Sequence, residues 1–377
     1  MKNQITDPPP KPPTLVNLFG EPGSPKPPKA KPNDGHNAPL GLTAEEYTSL
    51  IDASHLMHDQ DAAQNLLLVA REMILCNLPL KPLRDSGGKP IAHHVRTAKT
   101  STGTLKLILT GADPDTLLPF GTDRAVLAWL QTKAKQQNSP IIAWSYAKEY
   151  FDMFSLTHSG TNYKRFKESW KRISNCSFSI IIETSIDRTT ESLPVIKRGH
   201  IPTIKNKSIE AQIPNLLEGD IVEISKGLIE TYTPNIQEKY FVQLSDDIFD
   251  LIKQAVVPLR LEIMRHFYNE PKGWDFAQFI CYRSFLCEYA RVAGRKSTAY
   301  ISWKDLEEMM GSTDKNPLQL RATLRKILTK LKFIWPECQA TLKRGGILEV
   351  KPPLNSVHPV KGSILGTLNI QPQEIIL

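Results

Sequence analysis

The 377-residue chain predicts an α+β protein, and three observations lead there. Apolar stripes at helical spacing alternate with short runs of β-formers. The order helix, strand, helix, helix, strand occurs twice, which is the order of a winged-helix domain. The first residues, to about 40, carry PPPKPP and SPKPPKAKP and too little apolar surface to bury. The expected architecture is therefore two tandem winged-helix domains with a disordered Pro-rich N-terminal arm. The expected boundaries are 1–42 for the arm and 43–244 for a first domain with preceding helices and a long inserted wing region. A second domain at 245–353 and a tail at 354–377 complete the chain.

The elements follow in order. Thr43 and Glu46 make a capping box, and Leu66, Leu67, Leu68, Ala70, Met73 and Ile74 line one helix. RDSGG is a turn, and His93 and His94 form a loop pair whose side chains diverge. TLKLILTG is a strand with Leu105, Leu107 and Leu109 on one face and Lys106, Ile108 and Thr110 on the other. Gly121 ends an extended entry, Thr122 caps a helix, and Val126, Leu127 and Leu130 are its buried stripe. IIAW is a strand, SYAKEYFDMFSL a helix capped by Ser145, TNYKRFKESWKRI another helix, and FSIIIET a strand.

Residues 185–218, rich in Thr, Ser, Pro and Lys, read as an excursion within or beyond the wing, from which the strands DIVEIS and KYFVQL return. The order then begins again. Helices around 245–253 and 275–291 precede the strand AYI, helices 303–310 and 317–332, and the hairpin CQATLKRGGILEVKPP.

Formal net charge is +8 and the sequence pI is about 9.1, which favours polyanionic partners. The placement of that charge matters more than its sum. In helix 317–332, Leu320, Leu324, Ile327, Leu328 and Leu331 form one apolar stripe, while Gln319, Ala322, Arg325, Lys326, Thr329 and Lys330 point elsewhere. No Asp or Glu occurs between Lys315 and Pro336. An ordinary solvated helix mixes signs, because pairs of opposite charge one turn apart stabilise it by about 0.2–0.5 kcal/mol and like charges oppose it equally.

Helix 161–173 repeats the arrangement. Tyr163, Phe166, Trp170 and Ile173 form its stripe, and Lys164, Arg165, Lys167, Lys171 and Arg172 ring the rest against a lone Glu168. Gly160, Thr161 and Asn162 at its start suit both an N-cap and a phosphate contact. The preceding helices carry Glu149, Asp152, Asp305, Glu307 and Glu308, so the positive charge is segregated onto the second helix of each pair. Helix-turn-helix domains place their major-groove reader there.

Gln319, Arg325, Thr329, Lys164, Lys171 and Arg172 are thus candidates for base edges or flanking phosphates. Lys326, Lys330, Lys343 and Arg344 are candidates for phosphate, the last two at the hairpin tip KRGG, whose glycines permit a tight turn. Thr161, Arg165, Lys167 and Arg321 complete the set.

Other chemistries are not suggested. No G-x-x-x-x-G-K-[ST] loop is present, and no Ser/His/Asp set has a local signature. The acidic groups ADPDT at 112–116 and SDD at 245–247 offer carboxylates to Mg²⁺, but Asp246 and Asp247 more simply open a helix. The five cysteines, Cys76, Cys176, Cys281, Cys287 and Cys338, are scattered without a C-x-x-C pair and read as reduced, partly buried thiols. No run of eighteen apolar residues occurs and the N-terminus lacks an apolar signal core, so a cytoplasmic protein is expected. It is expected to be no enzyme and to need no cofactor or metal.

LPFGTDRAVLAWL (118–130) and ISWKDLEEMMGS…LRATLRKILTKLKFIWPE…LKRGGILEVKPP (301–353) resemble the plasmid-encoded RepA replication initiator proteins. The resemblance runs from about residue 65 to 353, and LCNLPLKP (75–82) fits its upstream segment. Phe120 departs from the more usual Tyr of that first motif. The resemblance implies a tandem winged-helix protein that binds repeated sequences at a plasmid origin and helps open the neighbouring duplex. It would recruit host initiator and helicase and do no covalent chemistry on DNA. A homodimer is a further partnership it allows. The apolar island TLVNLFG (14–20) has two readings, weak packing on the following domain or docking of Leu18 and Phe19 on a partner; it resembles the Leu-Phe peptides that bind sliding clamps, without their usual Gln. The alternative function is a winged-helix transcriptional regulator without a replication role, bound to a promoter inverted repeat.

Overall fold

A short apolar run can be a buried helix turn or a buried strand, and LLLVA is the second. In a computed structural model that describes residues 66–354 apart from 101–102, 145–146, 185–187, 195, 201–239, 255, 312–316 and 345, it forms strand β1 (Leu66–Ala70), followed by the short helix α1 (Arg71–Leu75). The expected single helix is therefore corrected. β1 pairs antiparallel along its whole length with β9 (Val256–Arg260), a partner that apolar periodicity alone does not reveal. Side chains from the next helix serve backbone donors of β1: Leu68 N–H donates to Thr132 Oγ1 at 2.9 Å and Ala70 N–H to Gln131 Oε1 at 2.6 Å. Leu18, Phe19, the Thr43 capping box, Ser145, the DIVEIS strand and the C-terminal tail beyond Leu354 lie outside the described residues.

An antiparallel sheet of β2 (His93–Thr100), β3 (Gly103–Gly111), β5 (Cys176–Thr184) and β6 (Arg188–Pro194) runs in the order β2-β3-β5-β6. His93 and His94 thus sit on a strand and not in a loop. Leu105, Leu107 and Leu109 are buried, as the alternation requires. Helix α2 (Asp123–Gln137) begins without a side-chain bond from Thr122; instead Asp123 accepts the Phe120 N–H at 2.9 Å. Ala125 to Leu130 are all buried, and Trp129 meets Trp144 edge-on at 4.9 Å and Tyr150 at 5.7 Å.

Strand β4 (Ile141–Trp144), the six-residue α3 (Lys148–Met153) and α4 (Gly160–Ser174) follow. β5 then leaves to join β3, and the sheet beside β4 is completed by β7 (Ile196–His200) and β8 (Tyr240–Leu244) in the order β4-β8-β7. The expected wing excursion therefore supplies the described strands β6 and β7.

The second half comprises α5 (Asp246–Gln254), β9, α6 (Leu261–His266), α7 (Pro271–Val292), β10 (Ala299–Ser302), α8 (Trp303–Met310), α9 (Pro317–Ile334), β11 (Ala340–Lys343) and β12 (Ile347–Val350). β9 and α6 were not expected. Its sheet order is β10-β12-β11, so each half has a three-stranded sheet in which the last strand lies between the first and the second.

All described residues belong to one compact unit, and the polar contacts across its middle are buried or partly buried. The Arg124 guanidinium lies 2.8 Å from one Asp275 carboxylate oxygen, donates to the other at 3.1 Å, and donates to Leu78 O at 2.8 Å. Asp275 is fully buried. Gln278 joins Asn77 through their side-chain amides, the Tyr150 and Tyr268 hydroxyls lie 3.0 Å apart, and Arg265 donates to Met153 O at 2.6 Å. On the far side β2 packs on α8: Arg96 donates to Met309 O at 3.2 Å, and Lys99 lies 3.8 Å from Asp305 and 3.9 Å from Glu308.

Candidate nucleic-acid interface

In α9 the predicted stripe is realised. Leu320, Leu324, Ile327, Leu328, Leu331 and Ile334 are buried, and Leu318, Gln319, Ala322, Arg325, Lys326, Thr329 and Lys332 are exposed. At 100° per residue, Leu318, Ala322, Arg325 and Thr329 fall within about 60° of arc at the centre of the outward face. The Thr329 hydroxyl donates to Arg325 O at 3.0 Å and is thus engaged within the helix.

Two expected contacts are corrected here. Lys330 is buried and its ammonium sits 3.3 Å from Glu270, so it is part of the α9 seat and is not available to phosphate. Arg321 is half-buried with its guanidinium 4.9 Å from the Trp303 ring, where it supports the hairpin more than it projects. A Cβ at Gly346 (φ +80°) would lie 3.2 Å from Trp303 Cβ, so the turn approaches that layer closely and in a conformation that favours glycine.

The hairpin β11–β12 follows α9. Arg344 stands exposed at its tip, whereas Lys343 pairs with Glu349 at 2.7 Å. That bond raises the Lys343 ammonium above its ordinary value and holds the Glu349 carboxyl below its own. Lys351 lies 3.7 Å from the same carboxylate. The tip thus offers Arg344 outright and Lys343 in competition with Glu349.

α4 is capped one residue earlier than expected: Ser159 Oγ accepts the Asn162 N–H at 3.3 Å, and the Asn162 amide donates to Thr157 O at 2.9 Å. Phe166, Trp170 and Ile173 are buried; Tyr163 is not, being 37% exposed and resting edge-on against Phe151 at 4.6 Å. Thr161, Lys164, Arg165, Lys167 and Lys171 are exposed.

Arg172 is a third correction. It donates to both oxygens of the wholly buried Asp123 at 2.7 and 2.8 Å, and its guanidinium lies 4.7 Å from the Phe120 ring centroid. It ties α4 to the start of α2, so its guanidinium is engaged within the protein. Phe120, the departure noted in the first motif, is therefore an aromatic floor for this cation.

Sequence reasoning passed over Leu318, which is 68% exposed. Its signal was present: it shares the outward row with Ala322 and Arg325 at i+4 and i+7. Among the described residues no group of His, Cys, Asp and Glu could hold a metal ion, and no helix is long and apolar enough to cross a membrane. All five cysteines are buried free thiols, and burial raises each of them, Cys287 and Cys338 to about 11.

No family model matches the chain, and no curated protein matches it. Among solved structures, a crystal structure of RctB domains 2-3 is 10% identical, with a TM-score of 0.39 over 73% of this chain and 96% of that one. A second, of selenomethionine derivatives of RctB domain 2 and domain 3, is 10% identical with a TM-score of 0.40 over 74% of this chain and 95% of that one.

Proposed function

We propose that this protein is a sequence-specific binder of double-stranded DNA that initiates plasmid replication in the manner of the RepA initiators it resembles. Each half is read as a winged-helix domain, with β4-α3-α4 and β10-α8-α9 as the two helix-turn-helix units; the common strand order of their sheets supports this. α9 and α4 would enter major grooves, and Arg344 would meet backbone phosphate beside α9. Bound to repeated origin sequences, the protein promotes local duplex opening and recruits host initiator and helicase, without covalent chemistry of its own.

The observation that carries this reading is the outer face of α9. It exposes Arg325, Lys326 and Lys332 with no carboxylate on the helix, while its apolar stripe is fully engaged inside the protein. A face whose own helix supplies no opposing charge fits an external polyanion.

The test joins two measurements. The gene and its flanking DNA are placed on a replicon that cannot otherwise copy itself, and maintenance is scored; the purified protein is then footprinted on that DNA. Maintenance together with protection of repeated sites supports the proposal. Protection of a promoter inverted repeat without maintenance replaces it with transcriptional regulation, and no protection at all overturns DNA binding.

A further inference from the structure

Resting on the reading that α9 enters a major groove, we infer that Leu318 and Ala322 read the 5-methyl groups of thymine, so that the site contains A·T pairs at the positions facing the first turns of α9. The α9 row begins Leu318, Ala322 and only then reaches Arg325. An isolated exposed leucine needs no explanation. Here the 68%-exposed Leu318 is one turn from a second apolar residue on the same line, in the middle of a face otherwise made of Gln319, Arg325, Lys326 and Thr329.

Charge selects the occupant. Arg325, Lys326 and Lys332 surround the apolar row without an acidic residue on the helix, which repels a basic protein surface and attracts a polyanion. Within the major groove the methyl group that a base presents is that of thymine, and apolar side chains contact it. Recognition helices bring their N-terminal residues to base edges, and Leu318 is the second residue of α9. Arg325, two turns in, lies on the same line and suits guanine O6 and N7. The predicted word is therefore thymine beside guanine.

The full chain is used for the test, on the duplex it protects in footprinting. Thymines are replaced one at a time by deoxyuridine, which keeps every base-edge hydrogen bond and removes only the methyl. At one or two positions affinity is expected to fall about three- to fivefold, the loss of one buried methyl. Leu318→Ala should bind the thymine duplex correspondingly less well and show no further loss with deoxyuridine at one of those positions; Leu318→Met should retain the sensitivity. Thermal unfolding of both variants should match the parent, because the side chain is exposed. Equal affinity for every deoxyuridine duplex, or full sensitivity retained in Leu318→Ala, overturns the inference while leaving duplex recognition standing. Failure of the parent chain to protect any duplex overturns both.

Discussion

Helices α4 and α9 occupy equivalent places in the two halves, each after a short acidic helix, and their outer faces differ. α4 exposes Thr161, Lys164, Arg165, Lys167 and Lys171, with Glu168 near the centre of the outward arc, one turn from both Lys164 and Lys171. α9 exposes no carboxylate and has an apolar row along its middle. Their settings differ too: α9 is followed by its own hairpin carrying Arg344, whereas the strand after α4 departs to a separate four-stranded sheet. A dense cation ring suits a phosphate track, and a mixed row suits base edges. Under the proposed function the two helices divide affinity from specificity.

That division is open to attack at several depths. The deepest is the frame both helices share. Asp275→Ala leaves the Arg124 charge buried and unpaired and is expected to cost about 3–5 kcal/mol, read by chemical denaturation. If the halves act as one frame, a single transition moves.

Next is the contrast of neighbours on α4. Arg172→Ala, which strips Asp123 of the cation bound to both its oxygens, should lower stability by about 3 kcal/mol. Lys171→Ala should leave stability unchanged and flatten the salt dependence of DNA affinity by about one phosphate's worth. Arg325→Ala is expected to lose about 1–3 kcal/mol of binding to the specific site and relax preference at one base pair, measured by competition between specific and scrambled duplexes. Smallest is Glu168→Gln, which makes α4 more like α9. It should raise affinity for all duplexes alike by about 0.5 kcal/mol, with preference between sequences unaltered.

The faces of α4 and α9 were legible because helical periodicity and one-signed charge are local properties. What lies against the shoulder of such a face is not local. Lys330 flanks the α9 stripe and meets Glu270, sixty residues earlier in the chain. Arg172 flanks the α4 stripe and meets Asp123. Both looked like surface cations because periodicity assigns a direction and says nothing of the neighbour found there. The same limit hid the Arg124–Asp275 pair, 151 residues apart. It also turned β1 into an expected helix, since Leu66 to Ala70 suit a helix until VVPLR is known to lie alongside. β3 was read correctly because Lys106 and Thr110 mark its outer face, so the alternation shows in the sequence, whereas β1 sets Leu66 and Leu68 at its half-buried positions and reads as one apolar run.

The ladder between β1 and β9 has a consequence for dissecting the protein. A fragment cut just before α5 would keep α8 and α9 but lose the strand that covers β9, baring Val257 and Leu259 along an unpaired edge. Naked edges of that kind recruit other chains. A truncated chain meant to isolate the α9 surface would therefore be prone to self-association, and its apparent cooperativity on DNA would report that stickiness instead of recognition.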